Sequence, residues 1–313
     1  MAHILTVTVN PAIDISTSVD KVEPGRKLRC GEARRDPGGG GINVARVANR
    51  LGADTTALYA GGGSCGKLLK KLVDRENLRS AAIQIAEETR EDFTVIEAST
   101  AKEFRFVSLG PHLKESEWRH FLDALNSFPD PIDYLVASGS LPPGVPEDFY
   151  ASIAKLAKAR GVPLALDTSG LPLKAALEHG VDLIKPNIRE MRELIGEPLA
   201  DVETCVAAST AIAATGKAKL IALTLGSKGA ILITREAAWR AGALPIKPVS
   251  TVGAGDSFLG AMVWALASGM PELEAFRQGV AAGSAALLVH GTELAHSSDI
   301  QALVNRVEVV QVT

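Results

Sequence analysis

The chain has 313 residues, 46% of them hydrophobic, and a formal net charge of −3. That length allows one large domain or two smaller ones, and the acidic balance argues against nucleic-acid or membrane-surface partners, which need a basic face. No apolar run reaches the ~20 residues of a membrane span, the start Met1 to Val9 carries no basic leader, and three widely spaced cysteines fit neither a disulfide framework nor a zinc site, so a cytoplasmic protein is expected.

Short β-branched runs predict strands near residues 3–10, 55–60, 133–137, 163–167, 181–184 and 219–224. Apolar periodicity predicts helices over 42–51, 64–76, 147–160, 171–178, 187–195 and 202–215. This alternation implies a parallel sheet with helices on both faces. Strands near 229–234 and 244–249 follow, then helices between about 254 and 307. Two segments, 12–37 and 89–108, break the rhythm. In the second, Phe93 and Val95, then Phe104 and Phe106, alternate around Ser99 to Lys102, which predicts a hairpin with one apolar face. Together the two segments would form a small β-lid on a single unit spanning 1–313. The lid's apolar face would be buried against a second copy, giving a homodimer.

Val249 to Ser257 carries the densest chemistry. Gly253, Ala254 and Gly255 precede Asp256, and an apolar helical run begins at once. Small residues let backbone N–H groups converge at a helix N-terminus, where the macrodipole favours negative charge. An anion cradle beside a carboxylate base suits phosphoryl transfer to an alcohol. The plainer reading is that Asp256 caps a helix.

Other glycine-rich turns carry weaker signals. Gly38 to Gly41, before Ile42-Asn43, permits close backbone approach to a ligand or serves as a hinge. Gly226 to Gly229 reads as a tight turn, or as a loop on which a nucleotide lies. Gly61, Gly63 and Gly66 satisfy G-x-G-x-x-G between a strand and a helix, with Glu87 and Glu88 where a ribose-binding acid would stand. An NAD(P)-dependent dehydrogenase is therefore an alternative of another class. The same stretch nearly matches a Walker loop, but Leu68 replaces the Mg2+-binding Ser or Thr.

Lys185-Pro186-Asn187-Ile188-Arg189-Glu190 ends a strand and starts a helix. A lysine on that edge of a parallel sheet stands where ligands gather. Asn187 and Glu190, three apart, share a face and offer oxygens to Mg2+, or merely cap the helix. Lys27, Arg29, Arg90 and Arg105 in or beside the lid could grip a sugar phosphate or be solvated. Asp14 could accept bonds from sugar hydroxyls or end a strand.

In this order the segments resemble the PfkB family of ribokinase-like carbohydrate kinases, over nearly the whole chain. Gly38 to Asn43 looks like the first family signature, Ser250 to Asp256 like the second, and Asn187 to Glu190 like the N-x-x-E motif. The resemblance implies a three-layer α/β/α fold with a mostly parallel central sheet and a β-sheet lid. It implies transfer from MgATP to a ketose phosphate, with fructose 6-phosphate at its 1-hydroxyl as the first expectation, and fructose 1-phosphate or tagatose 6-phosphate as alternatives. Asp256 would be the base and Gly253, Ala254 and Gly255 the anion hole. Lys185 would contact ATP phosphates, and Asn187 with Glu190 would organise Mg2+. Thr224, Gly226, Gly229, Val280, Gly283 and Ser284 would line the nucleotide. Asp14, Gly38, Gly39, Asn43 and Ser138 would hold the sugar, and Lys27, Arg90 and Arg105 its phosphate. A K+ ion would sit beside the anion hole through Ser250, Val252, Ala286 and Gly291, although Val289 and Glu293 depart from the family pattern there.

Overall fold

The computed structural model describes residues 2–197, 199 and 201–312. Strand β1 (His3–Thr8) is buried along its whole length, as a strand covered on both faces must be. It leads into β2 (Ala12–Val19) and β3 (Arg34–Gly38), then helix α1 (Gly40–Arg50), β4 (Asp54–Gly61), α2 (Gly63–Arg75) and β5 (Arg79–Gln84). A hairpin of β6 (Arg90–Glu97) and β7 (Lys102–Phe106) precedes α3 (Glu115–Asn126). The alternation continues through β8 (Tyr134–Ser138), α4 (Phe149–Arg160), β9 (Leu164–Asp167), α5 (Gly170–Leu177), β10 (Val181–Ile184), α6 (Ile188–Ile195), α7 (Val202–Ala214) and β11 (Ala218–Thr224). Strands β12 (Ala230–Ile233) and β13 (Ala238–Ala241), helices α8 (Ala254–Ala267), α9 (Glu272–Ala285) and α10 (Ser297–Val304), and strand β14 (Val309–Gln311) follow.

Among the described residues, one sheet has the order β14-β13-β12-β11-β10-β9-β8-β1-β4-β5. Strands β5 to β11 of this sheet pair in parallel, and β12, β13 and β14 extend it antiparallel. One face packs Phe121, Phe149, Ile153, Leu173 and Met191 from α3 to α6 against the strands. The other packs Val44, Val47, Phe258, Met262 and Phe276 from α1, α8 and α9. The three-layer arrangement expected from the alternation is therefore present. From β1 the chain moves outward to β4 and β5, then returns to β8 on the other side of β1. Such a reversal of strand order is where ligands collect in sheets of this kind, in the crevice outside the C-terminal strand ends, here those of β1 and β8.

The second sheet has the order β3-β2-β6-β7 and forms the expected lid. Its register sets three carboxylates side by side, because Asp14 on β2 faces Asp36 on β3 and Asp92 on β6. Phe93 opposes Phe106 on the other face, and both are exposed.

Some expectations fail. Residues 244–249 form no strand, because Pro245 and Pro248 cannot donate to a ladder. The partner of β12 is instead β13, at Ala238–Ala241. Strand β5 was not foreseen: Arg-Ser-Ala-Ala has weak strand propensity and lies at the sheet edge. Helix α3 and the short β14 were also not foreseen.

Candidate active site

Helix α8 begins at Gly253, whose φ of 73° suits glycine. No side chain caps this terminus, so its first amides stay available to a ligand. Asp256 does not cap it. Its Oδ2 accepts a hydrogen bond from Asn43 Nδ2 at 2.8 Å, across from α1. The carboxyl is partly buried but not sealed. Burial raises its pKa above the ordinary aspartate range, and the Asn43 bond and the charges of Lys185, Arg105 and Arg46 counter that rise.

Lys185 follows the end of β10 and is buried. Its ammonium lies 3.2 Å from Asp167 Oδ1 at the end of β9. A Cβ added at Gly255 would stand 3.2 Å from the same nitrogen, so the ammonium reaches the α8 terminus. Asp167 was not singled out from the sequence. Burial pushes its carboxyl up to about 6; Lys185 opposes this, while Asp256 and Glu190 add to it.

Asn187 and Glu190 form a reciprocal cap at α6. Asn187 Oδ1 accepts from the Glu190 amide at 3.0 Å, and Glu190 Oε2 accepts from the Asn187 amide at 2.9 Å. The capping reading holds, and Glu190 also acts electrostatically on Lys185 and Asp167. A Mg2+ ion that keeps most of its waters needs only one or two carboxylates plus phosphate oxygens, which this donor set fits. The Thr224 amide donates to Pro186 O at 3.0 Å, so the end of β11 adjoins the same corner. Gly226 and Gly229 follow in a tight turn, and a Cβ at Gly229 would strike Ala241 O. On α9, Gly283 lies against Ala254 O of the α8 terminus, with Val280 one turn before it and Ser284 beside it.

The sugar side is close-packed through glycine. A Cβ at Gly38 would overlap the Asp14 carboxylate, one at Gly39 would strike Thr8, and one at Gly40 would strike Ser138 Oγ. Asp14, Gly38, Gly39, Asn43 and Ser138 are thus brought together. Burial, with help from Asp92 and Asp256, pushes the Asp14 carboxyl up to about 7. Arg105 lies on the Asp14 face of the lid sheet and lowers both Asp14 and Asp256. Arg90 is committed to the lid itself: it donates to Ser108 O at 2.5 Å and Asn10 O at 3.1 Å, and pairs with Asp92 at 3.4 Å. Lys27 is exposed in the connection between β2 and β3 and makes no ion pair among the described residues.

Ser250 Oγ donates to Glu103 Oε1 of the lid at 2.9 Å and accepts from the Val252 amide at 3.2 Å. Glu293 is held by Arg34 at 2.8 Å and by His296 at 3.0 Å. The dehydrogenase reading fails on geometry. The Glu88 carboxylate accepts from the Cys65 amide at the start of α2, where a pyrophosphate would have to lie. Its pKa falls below the ordinary range for that reason first.

The ATP-dependent 6-phosphofructokinase isozyme 2 of Mycobacterium tuberculosis is 44% identical over 299 residues, covering 96% of this chain and 88% of that one. A 1-phosphofructokinase of Bacillus subtilis is 32% identical over 308 residues, covering 98% and 99%. The crystal structure of phosphofructokinase-2 from Escherichia coli in complex with fructose-6-phosphate superposes with a TM-score of 0.92 at 36% identity, covering 98% and 99%. The profile of the pfkB family carbohydrate kinases matches residues 6–299. The chain belongs to the pfkB family of carbohydrate kinases.

Proposed function

We propose that the chain transfers the γ-phosphoryl group of ATP to the 1-hydroxyl of fructose 6-phosphate, giving the 1,6-bisphosphate. The observation that carries this reading is the Asp256 carboxylate beside the uncapped first turn of α8, with the Lys185 ammonium over the same turn. The sugar would lie between Asp14, Asn43 and Ser138, with its phosphate toward Arg105. Asp256 would orient the hydroxyl and take its proton as the bond to phosphorus forms. The amides of Ala254, Gly255 and Asp256 would stabilise charge on the moving group. Lys185 would hold the phosphate chain, and Glu190 with Asn187 would hold Mg2+ through its waters. The ion supplies charge neutralisation on the phosphates when bound. Thr224, Gly226, Gly229, Val280, Gly283 and Ser284 would flank the nucleoside. A K+ ion would use Ser250, Val252, Ala286 and Gly291, and Ser250 would then have to share its hydroxyl with Glu103.

Fructose 1-phosphate as acceptor is the second reading, favoured by Asn10-Pro11-Ala12-Ile13-Asp14 and by the Bacillus subtilis relative. A coupled ADP-release assay across fructose 6-phosphate, fructose 1-phosphate and tagatose 6-phosphate decides between them. The highest kcat/KM on fructose 6-phosphate supports the first reading; turnover confined to another sugar defeats it. The lid's exposed apolar face, with Phe93 42% and Phe106 59% exposed, supports a homodimer formed lid to lid.

A further inference from the structure

Arg46 heads the largest fully buried side chains among the described residues. It lies on α1 one turn after Asn43. Its Nη1 donates to Pro37 O at the root of the lid (3.2 Å), to Asn43 Oδ1 (3.4 Å) and to Thr292 O (2.9 Å). Its Nη2 donates to Glu76 Oε1 at 2.8 Å. Arg50, one turn further along α1, gives Nη2 to the other Glu76 oxygen at 3.0 Å. Its Nη1 donates to Glu293 O at 2.7 Å, Leu294 O at 3.4 Å and Ala295 O at 3.3 Å. One carboxylate therefore anchors two guanidinium groups, which together hold the carbonyls of residues 292–295.

That loop is unusual. Leu294 has a φ of 65°, a left-handed backbone disfavoured for a branched side chain. It is fully buried, and its Cδ2 lies 2.3 Å from where a Cβ of Gly253 would stand. The strained loop thus packs on the residue that opens α8. The other arm of the clamp ends on Asn43 Oδ1, which fixes which end of that amide faces Asp256.

We propose that Glu76, Arg46 and Arg50 form a positioning clamp for phosphoryl transfer, Arg46 setting the Asn43 amide so that it donates to Asp256 and Arg50 holding the 293–295 loop that seats Leu294 on the anion hole. None of the three touches the reacting atoms. The clamp rests on the kinase reading only for its turnover readout.

The groups facing Asp256 are Asn43 and Arg46 from α1, Lys185 after β10, Arg105 from β7, Asp14 from β2 and Asp167 from β9. Losing Arg46 removes a cation and frees the Asn43 amide, and both changes favour the protonated acid. The test compares wild type, Arg50→Met, and the double variant Arg46→Met with Glu76→Met, which leaves no unpaired carboxylate behind. Arg50 is partly exposed, so its replacement should fold even where the double variant does not. Expected are kcat values lowered roughly 10- to 100-fold with both KM values within about threefold. The Asp256 carboxyl signal in 13C NMR of the ligand-free protein, assigned with Asp256→Asn, should titrate at higher pH in the double variant and unchanged in Arg50→Met. A merely structural role predicts lower melting temperature with kcat within twofold of wild type and an unmoved titration; that result overturns the clamp. Should wild type fail to use any of the sugar phosphates, the kinase reading falls, while the NMR titration still decides whether Arg46 acts on Asp256.

Discussion

Asn43 on α1 and Asp256 on α8 are 213 residues apart in sequence, and their side chains meet in a 2.8 Å hydrogen bond at the mouth of the crevice. An amide donor favours the ionised carboxylate, which is the form a base needs. Burial acts the other way. The balance leaves a carboxyl with a raised pKa, closer to the basicity that proton abstraction at neutral pH requires.

Removing the proposed base should be costly and selective. Asp256→Asn should lower kcat by roughly 10²- to 10⁴-fold and leave ATP affinity largely intact. Steady-state kinetics with calorimetric ATP binding measures both. Turnover near the wild-type rate would remove Asp256 from the chemistry.

Much of this site was legible because its signals are contiguous. Gly253 to Asp256 lie in one short stretch, and Asn187 and Glu190 are one helical turn apart. Asp167 carries no such signal: it is a lone aspartate at the end of a short strand, and only the pairing of β9 with β10 brings it to Lys185. Glu76, just past the end of α2, carries no signal pairing it with Arg46 on α1. Lys27 lies exposed in the connection between β2 and β3, so its expected role stands on its motif alone. The strand expected at 244–249 failed for want of backbone donors at Pro245 and Pro248, although its apolar residues were in order.

Asp14 ties stability to pH. Its folded pKa, about 7, lies above the ordinary 3.8, so the folded state holds the proton more tightly than the unfolded chain does. Its ionisation therefore costs no stability below the ordinary pKa and weakens the fold as pH rises through 7. Asp14→Asn should gain in melting temperature over wild type between pH 5 and 8, with no gain near pH 3.5. A difference that is flat across this range would show that the carboxyl titrates normally.

Arg105 should serve the sugar phosphate more than the nucleotide. Arg105→Ala is expected to raise KM for fructose 6-phosphate by about tenfold or more, the scale of a lost charge-assisted bond, and to change KM for ATP less. The reverse pattern would place the guanidinium on the other substrate. Arg90→Ala should instead lower thermal stability, since Arg90 holds Ser108 and Asn10 in place.

Gly255→Ala tests the approach of Lys185 to the α8 terminus. The new methyl would sit 3.2 Å from the ammonium, which must then shift. A kcat loss of roughly 10- to 100-fold with little change in melting temperature is expected from such a displacement. Unaltered kcat would mean that the ammonium position is immaterial to the reaction.

The lid offers a separate test. Phe93→Glu with Phe106→Glu should convert a dimer to a monomer in sedimentation equilibrium, because two apolar rings leave the shared face. A wild-type chain that sediments as a monomer would contradict lid-to-lid pairing.

The contact between Lys185 and Asp167 has a wider consequence. The ammonium gives up most of its hydration when the chain folds, once, and its position is then held by a neighbour that never leaves. In the proposed reaction an arriving triphosphate would meet a cation already stripped and aimed, so little of the solvent rearrangement that slows the same chemistry in water would have to be repeated at each turnover.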